Sequence, residues 1–264
     1  MFEFIYSKDC PDHISVSQIN KFLKCQVSYY FSYLTTLPRP KIARMIHGSA
    51  IHAGIANHLI NRLDGSQNVV DSTDVAVEYF KKDVADDLNV LYDKVFFNKD
   101  VAVDSIPKIL KQAIPEIDEL VKHPMLAEYA INHLVNDVKV VGYVDCIDAN
   151  GDIYDFKVTG SSNSDTDTRQ SLQLGVYSYC TGNQPKKVGL VSISNKTGKV
   201  TPAIVPCSPA RGDAAIDALN CGVKSINAAI ANHSFLPNTE GWHCSEKWCD
   251  YYSVCPWGKH AQGE

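Results

Sequence analysis

The stretch VGYVDCIDANGDIYDFKVT, residues Val141–Thr159, decides the fold. It predicts two strands joined by a tight turn, because the pair Asn150-Gly151 is a strong hairpin signal between two apolar runs. In the second strand, alternation of side chains places Asp155 and Lys157 on the same face. Antiparallel pairing would bring Asp145 of the first strand near the same end.

Two carboxylates beside one lysine suit a hard divalent cation, because Mg²⁺ and Mn²⁺ prefer oxygen ligands. The lysine could hold a water molecule or neutralise charge on a phosphate. The alternative is a surface hairpin whose Asp–Lys pair only adds solubility, since a D-x-K pattern by itself occurs in many unrelated chains. The rest of the sequence is needed to choose between the two.

Composition and charge restrict the class of protein. The chain has 264 residues, of which 45% are hydrophobic and 21% are charged, and this is ordinary for a globular protein with a large core. The net charge of −5 argues against general attraction to nucleic acid, so such binding would need local basic patches. No apolar run is long enough to cross a bilayer, and residues 1–10 do not resemble a signal peptide. An intracellular, cytoplasmic protein is predicted.

The apolar patterns predict a mixed α/β fold, a sheet wrapped by helices. One helix is predicted from Ser15 to Leu37 with Cys25 inside it, and a second begins at Gly48 with Ser49 as its cap. Further predicted elements follow in chain order: a largely helical stretch over 64–135, a loop over 160–169, a helix over 170–179 with Leu172, Val176 and Tyr179 packing inward, strands over 188–194 and 200–205, and a helix over 209–232. In the helical stretch, Glu116 and Glu128 could be extra acidic ligands, although solvated helix carboxylates are commoner.

Nine cysteines in an intracellular chain do not indicate a disulfide framework. Three of them lie near the C-terminus among aromatic residues: Cys244, Cys249 and Cys255. Such a group is typical of soft-metal ligation. Three ligands need a fourth, for which Cys25 is the natural candidate. Zinc bound by three cysteines and either His243 or His260 is one alternative, and three buried thiols are another.

The sequence motifs, in the order in which they occur along the chain, resemble those of the RecB-like branch of the PD-(D/E)xK nuclease superfamily. That branch includes the AddB nuclease domain, RecB-like nucleases of CRISPR adaptation and phage exonucleases. The resemblance implies a restriction-endonuclease-like core, with a mixed central β-sheet flanked by helices. It also implies one nuclease domain over 1–264, a helical insertion over 64–135, and a C-terminal metal-cluster segment over 242–257 that closes onto the helix around Cys25.

The resemblance implies a metal site on the hairpin and the second helix. His52, in the motif GSAIH, matches a helix-borne metal ligand. Asp145 ends a G-x-x-D motif and matches the first metal carboxylate, and Asp155 matches the second. The residue between Asp155 and the lysine usually contributes its main-chain carbonyl to the metal, which here would be Phe156.

The resemblance also implies roles outside that ligand set. Lys157 matches the catalytic lysine. Gln173 and Tyr177 match a Q-x-x-x-Y helix motif that contacts DNA or orients the active site. A [4Fe–4S] cluster held by one early and three late cysteines would use Cys25, Cys244, Cys249 and Cys255. The late cysteine spacing is wider than in tight C-x-x-C variants, so zinc stays an alternative to iron–sulfur.

The implied function is a Mg²⁺- or Mn²⁺-dependent DNA exonuclease that acts at DNA ends in recombination, repair or phage DNA metabolism. Its partners would be single- or double-stranded DNA and recombination or replication proteins, with no membrane. The alternatives are a structure-specific endonuclease, and a non-catalytic DNA-binding or assembly module with a structural zinc site. Base stacking and phosphate contacts could come from five residues, whose alternative is core aromatics and a solvated basic face: Tyr29, Tyr30, Arg39, Lys41 and Arg44.

Overall fold

A computed structural model describes residues 3–38, 41–65, 70–85, 90–92, 96, 98–182 and 184–258. Its helices are α1 Val16–Lys24, α2 Gln26–Tyr33, α3 Ala43–Asp64, α4 Ser72–Ala85, α5 Lys99–Leu120, α6 Asp165–Gln170, α7 Leu172–Cys180 and α8 Pro209–Ala231. Its strands are β1 Pro124–Val135, β2 Val138–Asp148, β3 Ile153–Thr159, β4 Lys187–Ser194 and β5 Val200–Pro206. Among these described residues, no helix is long and apolar enough to span a bilayer.

The strands form one mixed sheet in the order β1-β2-β3-β4-β5. Strands β3 and β4 are parallel, whereas β2 pairs with β3 and β4 pairs with β5 in antiparallel fashion. Helices flank this sheet, so the predicted fold class is confirmed. The parallel pair requires a crossover connection, which the chain supplies through α6 and α7.

The predicted hairpin is present as β2 and β3. The carboxylate of Asp148 accepts hydrogen bonds from the backbone N–H groups of Asn150 at 2.8 Å and Asp152 at 3.0 Å. Gly151 has a φ of 82°, a left-handed conformation that glycine adopts without steric cost. This turn chemistry sets the register, in which Cys146 lies opposite Tyr154.

The described chain divides into two compact units. The first comprises Met1–Pro40, Asn132–Gly142 and Ala214–Glu264, and the second comprises Lys41–Ile131 and Tyr143–Asp213. The core of the second unit is formed by buried apolar side chains of α3, α4, α5, β2, β3, β4 and β5. The single nuclease domain over 1–264 stays a prediction.

Two helix predictions near the N-terminus are wrong in their boundaries. The first predicted helix is two helices, α1 and α2, because Cys25 between them has an extended backbone with a φ of −165°. The second, α3, begins at Ala43 instead of Gly48, so Ser49 lies inside the helix and does not cap it. The earlier start buries the side chains of Ile46 and His47 as well.

Three further predictions need correction. The loop predicted over 160–169 contains α6, which starts with a capping box between Ser164 and Asp167. The helical prediction over 64–135 fails in its last part, because α5 ends at Leu120 and β1 follows. The sequence does not display which strand β1 pairs with, so β1 is recognised as a strand only from its place beside β2 in the sheet. Tyr179 was predicted to pack inward but is exposed.

Candidate active site

The carboxylate of Asp145 lies where α3 meets the hairpin, in the second unit. Its Oδ2 accepts a hydrogen bond of 2.7 Å from the backbone N–H of Phe156 on β3. The same oxygen lies 3.7 Å from Nδ1 of His52 on α3. The hairpin and the helix therefore bring together three residues that were predicted to share one site, although His52 is more than ninety positions from the other two in the chain.

Burial dominates the electrostatics of this group. Burial raises the pKa of Asp145 well above its ordinary value, and the neighbouring negative charge of Asp155 raises it further. Burial also raises the pKa of Asp155, against the opposing effect of Lys157. Burial and the charge of Lys157 lower the pKa of His52 to about 4, so the imidazole is neutral at pH 7 and has a ring nitrogen free to bind a metal.

The carboxylate of Asp155 is 1% exposed, and neither of its oxygens has an aligned hydrogen-bond partner among the described residues. Its Oδ2 lies 2.8 Å from Nζ of Lys157 in a close ion pair. A buried carboxylate is costly unless it is neutralised. Lys157 balances one of the two carboxylates Asp155 and Asp145, a divalent cation beside them would balance the other, and carboxylate, carbonyl and imidazole donors suit Mg²⁺ or Mn²⁺.

The ammonium group of Lys157 is held on two sides. Besides its ion pair with Asp155, Nζ donates a hydrogen bond of 3.1 Å to Oε1 of Gln173. Gln173 Nε2 in turn donates a hydrogen bond of 2.8 Å to the hydroxyl oxygen of Tyr177, one turn further along α7. Burial raises the pKa of Tyr177 to about 12, so its hydroxyl stays protonated. The two side chains of the Q-x-x-x-Y motif therefore lie on one face of α7.

Glu128 adds a third carboxylate that sequence reasoning assigned to a helix. It lies on β1 and, with His52 and Asp145, lines a cleft of about 510 Å³. Its φ of 49° is unusual for a residue other than glycine, and such outliers are common at functional sites. Burial raises the pKa of Glu128. Glu116, by contrast, lies in α5, where its Oε2 accepts a hydrogen bond of 2.8 Å from the backbone N–H of Val200.

A sequence model of the PD-(D/E)XK nuclease superfamily matches residues 13–256. The chain belongs to the PD-(D/E)XK nuclease superfamily. The matched range includes both carboxylates, Lys157 and His52, and it also reaches Cys25 and the three late cysteines. No curated protein matches the chain.

A search of solved structures found matches to this nuclease-superfamily protein. One is the crystal structure of a candidate exonuclease from Eubacterium rectale, with 11% identity and a TM-score of 0.52 over 88% of this chain and 87% of that chain. Another is the structure of SSO0001, with 12% identity and a TM-score of 0.38 over 91% of this chain and 95% of that chain. At 11% identity the first likeness shows the fold alone.

The first unit of this superfamily member carries the four cysteines of the predicted metal cluster. The extended backbone of Cys25 lies between α1 and α2, and the C-terminal segment over 242–257 is made of turns. A cavity of about 230 Å³ is lined by four cysteines and one histidine: Cys25, His243, Cys244, Cys249 and Cys255. This volume far exceeds the roughly 30 Å³ that a water molecule takes up in the liquid. The early cysteine and the three late ones therefore line one cavity.

The thiols influence one another. Burial raises the pKa of Cys244, Cys249 and Cys255, and the charge of Cys25 contributes to each of these shifts. A bound cationic metal would relieve this mutual repulsion and stabilise the thiolates, so the donors fit a soft metal chemically. Across the described ranges, however, no three His, Cys, Asp or Glu side chains are gathered closely enough to hold a metal as they stand, in this cavity or around Asp145. His260 lies outside the described residues.

The predicted DNA contacts near the N-terminus are not supported by the geometry. Tyr29 is 1% exposed, and its ring packs against Phe22 and Tyr33, so it is a core residue that no base can reach. Tyr30 is also buried, and its hydroxyl donates to the backbone oxygen of Ile5 at 2.7 Å. Lys41 donates to the backbone oxygen of Asp83 at 3.0 Å.

Two basic candidates for nucleic-acid contact remain, Arg39 and Arg44. Arg44 is half-buried, whereas Arg39 lies outside the described residues. Exposed aromatic side chains include Trp242 and Trp248 in the first unit and Tyr143 in the second. The sequence analysis noted the aromatic residues around the late cysteines but did not single out the two tryptophans as exposed.

Proposed function

We propose that this protein is a divalent-cation-dependent deoxyribonuclease that hydrolyses phosphodiester bonds at DNA ends. The observation that carries the proposal is the buried carboxylate of Asp155, which lacks an aligned hydrogen-bond partner and lies beside Lys157, with Asp145 close by. Membership of the nuclease superfamily supports the reaction class. A solved structure of similar fold is described as that of a candidate exonuclease, so exonuclease activity is the first to be tested, with a structure-specific endonuclease as the alternative.

In this proposal His52, Asp145, Asp155 and the main-chain carbonyl of Phe156 hold Mg²⁺ or Mn²⁺. When bound, such a cation lowers the pKa of a coordinated water and neutralises charge on the scissile phosphate. The water oxygen forms the new bond to phosphorus while the bond to the ester oxygen breaks. Lys157 keeps its ammonium group next to this reaction, because Asp155 and Gln173 hold it, and it stabilises the negative charge that develops.

Three further residues act around this centre. Gln173 is a positioning residue, because its Oε1 accepts from Lys157 and its Nε2 is fixed by Tyr177. Tyr177 is therefore a positioning residue one step further away. Glu128 is an extra acidic ligand on the cleft side of His52 and Asp145, since it lines the same cleft.

The cysteine cavity is assigned a structural role. We propose that Cys25 and the three late cysteines hold a [4Fe–4S] cluster, with zinc as the alternative, and that the cluster fastens the segment over 242–257 to the chain around Cys25. The protein would belong to the RecB-like branch if it has this cluster, a helical insertion over 64–120 and one nuclease domain over 1–264. An intracellular role in recombination, repair or phage DNA metabolism, with partner proteins from those processes, follows from that placement.

The test is cleavage of end-labelled linear DNA, single- and double-stranded, with Mg²⁺, with Mn²⁺ and with a chelator. Wild-type protein is compared with Lys157→Ala and with Lys187→Ala, a matched control on the exposed start of β4. We expect metal-dependent shortening from one end by wild type and Lys187→Ala. Lys157→Ala should lose at least ~10²-fold in rate, as for other groups that stabilise transition-state charge.

Three results would contradict the proposal or part of it. Equal rates for wild type and Lys157→Ala would remove the lysine from the reaction. Folded wild-type protein that binds DNA but cleaves it with neither metal would favour the non-catalytic binding module. Cleavage of closed circular DNA at a rate comparable with linear DNA would favour an endonuclease instead of an exonuclease.

A further inference from the structure

The cleft of about 510 Å³ beside the candidate active site adjoins that site without including its lysine. His52 and Asp145 line the cleft, whereas Asp155 and Lys157 do not. All four residues belong to the second unit. A phosphodiester held at the candidate site carries a nucleoside on either side, and a cleft that begins at Asp145 is in reach of one of the two.

The lining of this cleft suits a flat, uncharged group. Ala53, Ala56 and Ile60 lie on one face of α3 and form an apolar wall. The acidic side chains of the lining are Glu128 and Asp145, and among the described residues that line the cleft there is no lysine or arginine. Proteins bind phosphate groups mainly with such cationic side chains. The cleft therefore disfavours the DNA backbone and favours a nucleobase.

One aromatic ring lines this cleft and is open to solvent. Tyr79 lies on α4 and is 40% exposed. Within the described chain, its ring has no aromatic neighbour and its hydroxyl has no hydrogen-bond partner. Tyr29, by contrast, is buried and packs against Phe22 and Tyr33. Proteins that hold single strands stack bases on accessible aromatic rings, so Tyr79 is suited to this contact.

We propose that the cleft is a nucleobase subsite, in which the base of a nucleotide next to the cleaved phosphate stacks on Tyr79 and packs against the apolar face of α3. This inference rests on the proposed function and adds the part of the substrate that the cleft accepts. Every base presents a π face, so the subsite requires a base without selecting its identity. Loss of one such stack weakens binding by roughly tenfold.

The test combines removal of a base from the DNA with removal of the ring from the protein. Single-stranded DNA is labelled at one end and carries one abasic nucleotide at successive positions from the other end. Affinity is measured by fluorescence anisotropy with Ca²⁺ in place of Mg²⁺, for wild type, Tyr79→Ala, Tyr79→Phe and Ala56→Leu. Tyr179→Ala is the matched control, since Tyr179 is 37% exposed on α7 and does not line the cleft.

For wild type, we expect an abasic nucleotide at one position to weaken binding about tenfold, with smaller effects elsewhere. Tyr79→Ala should bind natural DNA about tenfold less tightly than wild type and lose nothing further at that position. Tyr79→Phe, which keeps the ring, and Tyr179→Ala should match wild type. Ala56→Leu fills part of the cleft, so it should weaken the binding of natural DNA but not of DNA that is abasic at that position.

Three outcomes would overturn the inference. Equal losses from the abasic nucleotide in wild type and Tyr79→Ala would contradict a stack between ring and base. Equal weakening by Tyr79→Phe and Tyr79→Ala would assign the effect to the hydroxyl group. Unchanged binding of natural DNA by Tyr79→Ala would leave the cleft without a base.

Failure of the proposed function gives a different result. Wild type that binds DNA with the expected dependence on Tyr79, but cleaves it with neither Mg²⁺ nor Mn²⁺, would keep the subsite and contradict the nuclease. Wild type that binds no DNA at all would contradict both.

Discussion

The two candidate sites of this protein are constructed in different ways. In the second unit, regular structure fixes the side chains, and direct hydrogen bonds of 2.7 Å and 3.1 Å join Asp145 to the backbone of Phe156 and Lys157 to Gln173. In the first unit, the cysteines come from a helix junction and a segment of turns, and they line a cavity of about 230 Å³. The hairpin site is organised by the fold, whereas the cysteine site leaves a volume for a group that is not part of the chain.

This difference predicts opposite responses to loss of metal. Removal of the divalent cation from the hairpin site should leave the fold intact, because the pairing of β2 with β3 and the packing of α3 on β3 position the ligand-bearing backbone without it. Loss of the group in the cysteine cavity should loosen the segment over 242–257, because a metal that organises turns contributes its binding free energy to folding. The predictions below test this contrast, from the largest expected effect to the smallest.

The largest effect is expected at Asp145, where function and stability should change in opposite directions. Asp145→Asn removes a proposed ligand charge, and we expect cleavage to fall by more than ~10²-fold. The amide oxygen can still accept from the N–H of Phe156, while the repulsion from Asp155 disappears. Metal-free Asp145→Asn should therefore unfold at a higher temperature than metal-free wild type, as measured by differential scanning calorimetry.

Burial of Asp145, together with the repulsion from Asp155, predicts a pH dependence that Asp145→Asn should remove. The folded state raises the pKa of Asp145 above its unfolded value of about 3.9, so Asp145 makes the metal-free protein less stable as the pH rises from about 4 through the raised pKa. His52 acts in the opposite direction between pH 4 and 6.5, because its pKa is lowered to about 4, so the contribution of Asp145 is measured as a difference between two proteins. The melting temperature of metal-free wild type should fall further below that of metal-free Asp145→Asn as the pH rises, and a pH-independent difference would contradict the buried carboxylate pair.

The next effect is expected in the cysteine cavity. Cys249→Ser should abolish visible absorbance, release the bound metal and lower the melting temperature of the first unit, because one of four ligands is lost. Cys221→Ser is the control, since Cys221 is exposed on α8 and does not line the cavity. Limited proteolysis should cut Cys249→Ser first within 242–257. If Cys249→Ser keeps wild-type metal content and protease resistance, Cys249 is not a ligand.

A smaller effect is expected from Gln173. Gln173→Leu removes the acceptor of the Lys157 hydrogen bond without removing a proposed metal ligand. Partners that orient a functional group typically change activity by ~10- to 100-fold, and we expect a fall in cleavage rate within that range. Mg²⁺ affinity, measured by calorimetry, should stay close to wild type. A loss of DNA affinity with an unchanged rate at saturating DNA would assign Gln173 to substrate contact instead of positioning.

The hairpin site was predictable because its signals are local. Turn residues Asn150-Gly151 and two-residue alternation place Asp155 and Lys157, and a four-residue spacing places Gln173 and Tyr177 on one helix face. The superfamily match is consistent with the order of these motifs. Each of these inferences needs only neighbouring residues or a regular period, which a sequence displays directly.

The parts that failed depend on distant contacts. Glu128 was assigned to a helix, because the strand that carries it is defined by pairing in the sheet and by a left-handed φ at the residue itself. The break at Cys25 was missed, since the residues on both sides have good helical spacing. Tyr29 was proposed for base stacking, yet an aromatic stripe at helical spacing fits a core equally well, and only its packing against Phe22 and Tyr33 decides between the two.

The smallest effect is expected from Tyr177→Phe, and it measures how far the fold alone organises the hairpin site. The change removes one hydroxyl, the acceptor for Gln173 Nε2, and leaves Gln173 able to accept from Lys157. A single hydrogen bond contributes about 1 kcal/mol, so we expect about a fivefold loss of rate. In the double variant with Gln173→Leu, the tyrosine change should have no further effect, because the hydroxyl acts through Gln173. Additive losses in this double-mutant cycle would mean that Tyr177 contacts the substrate or another group by itself. The hydrogen bonds from Tyr177 through Gln173 to Lys157 would then not position the ammonium group.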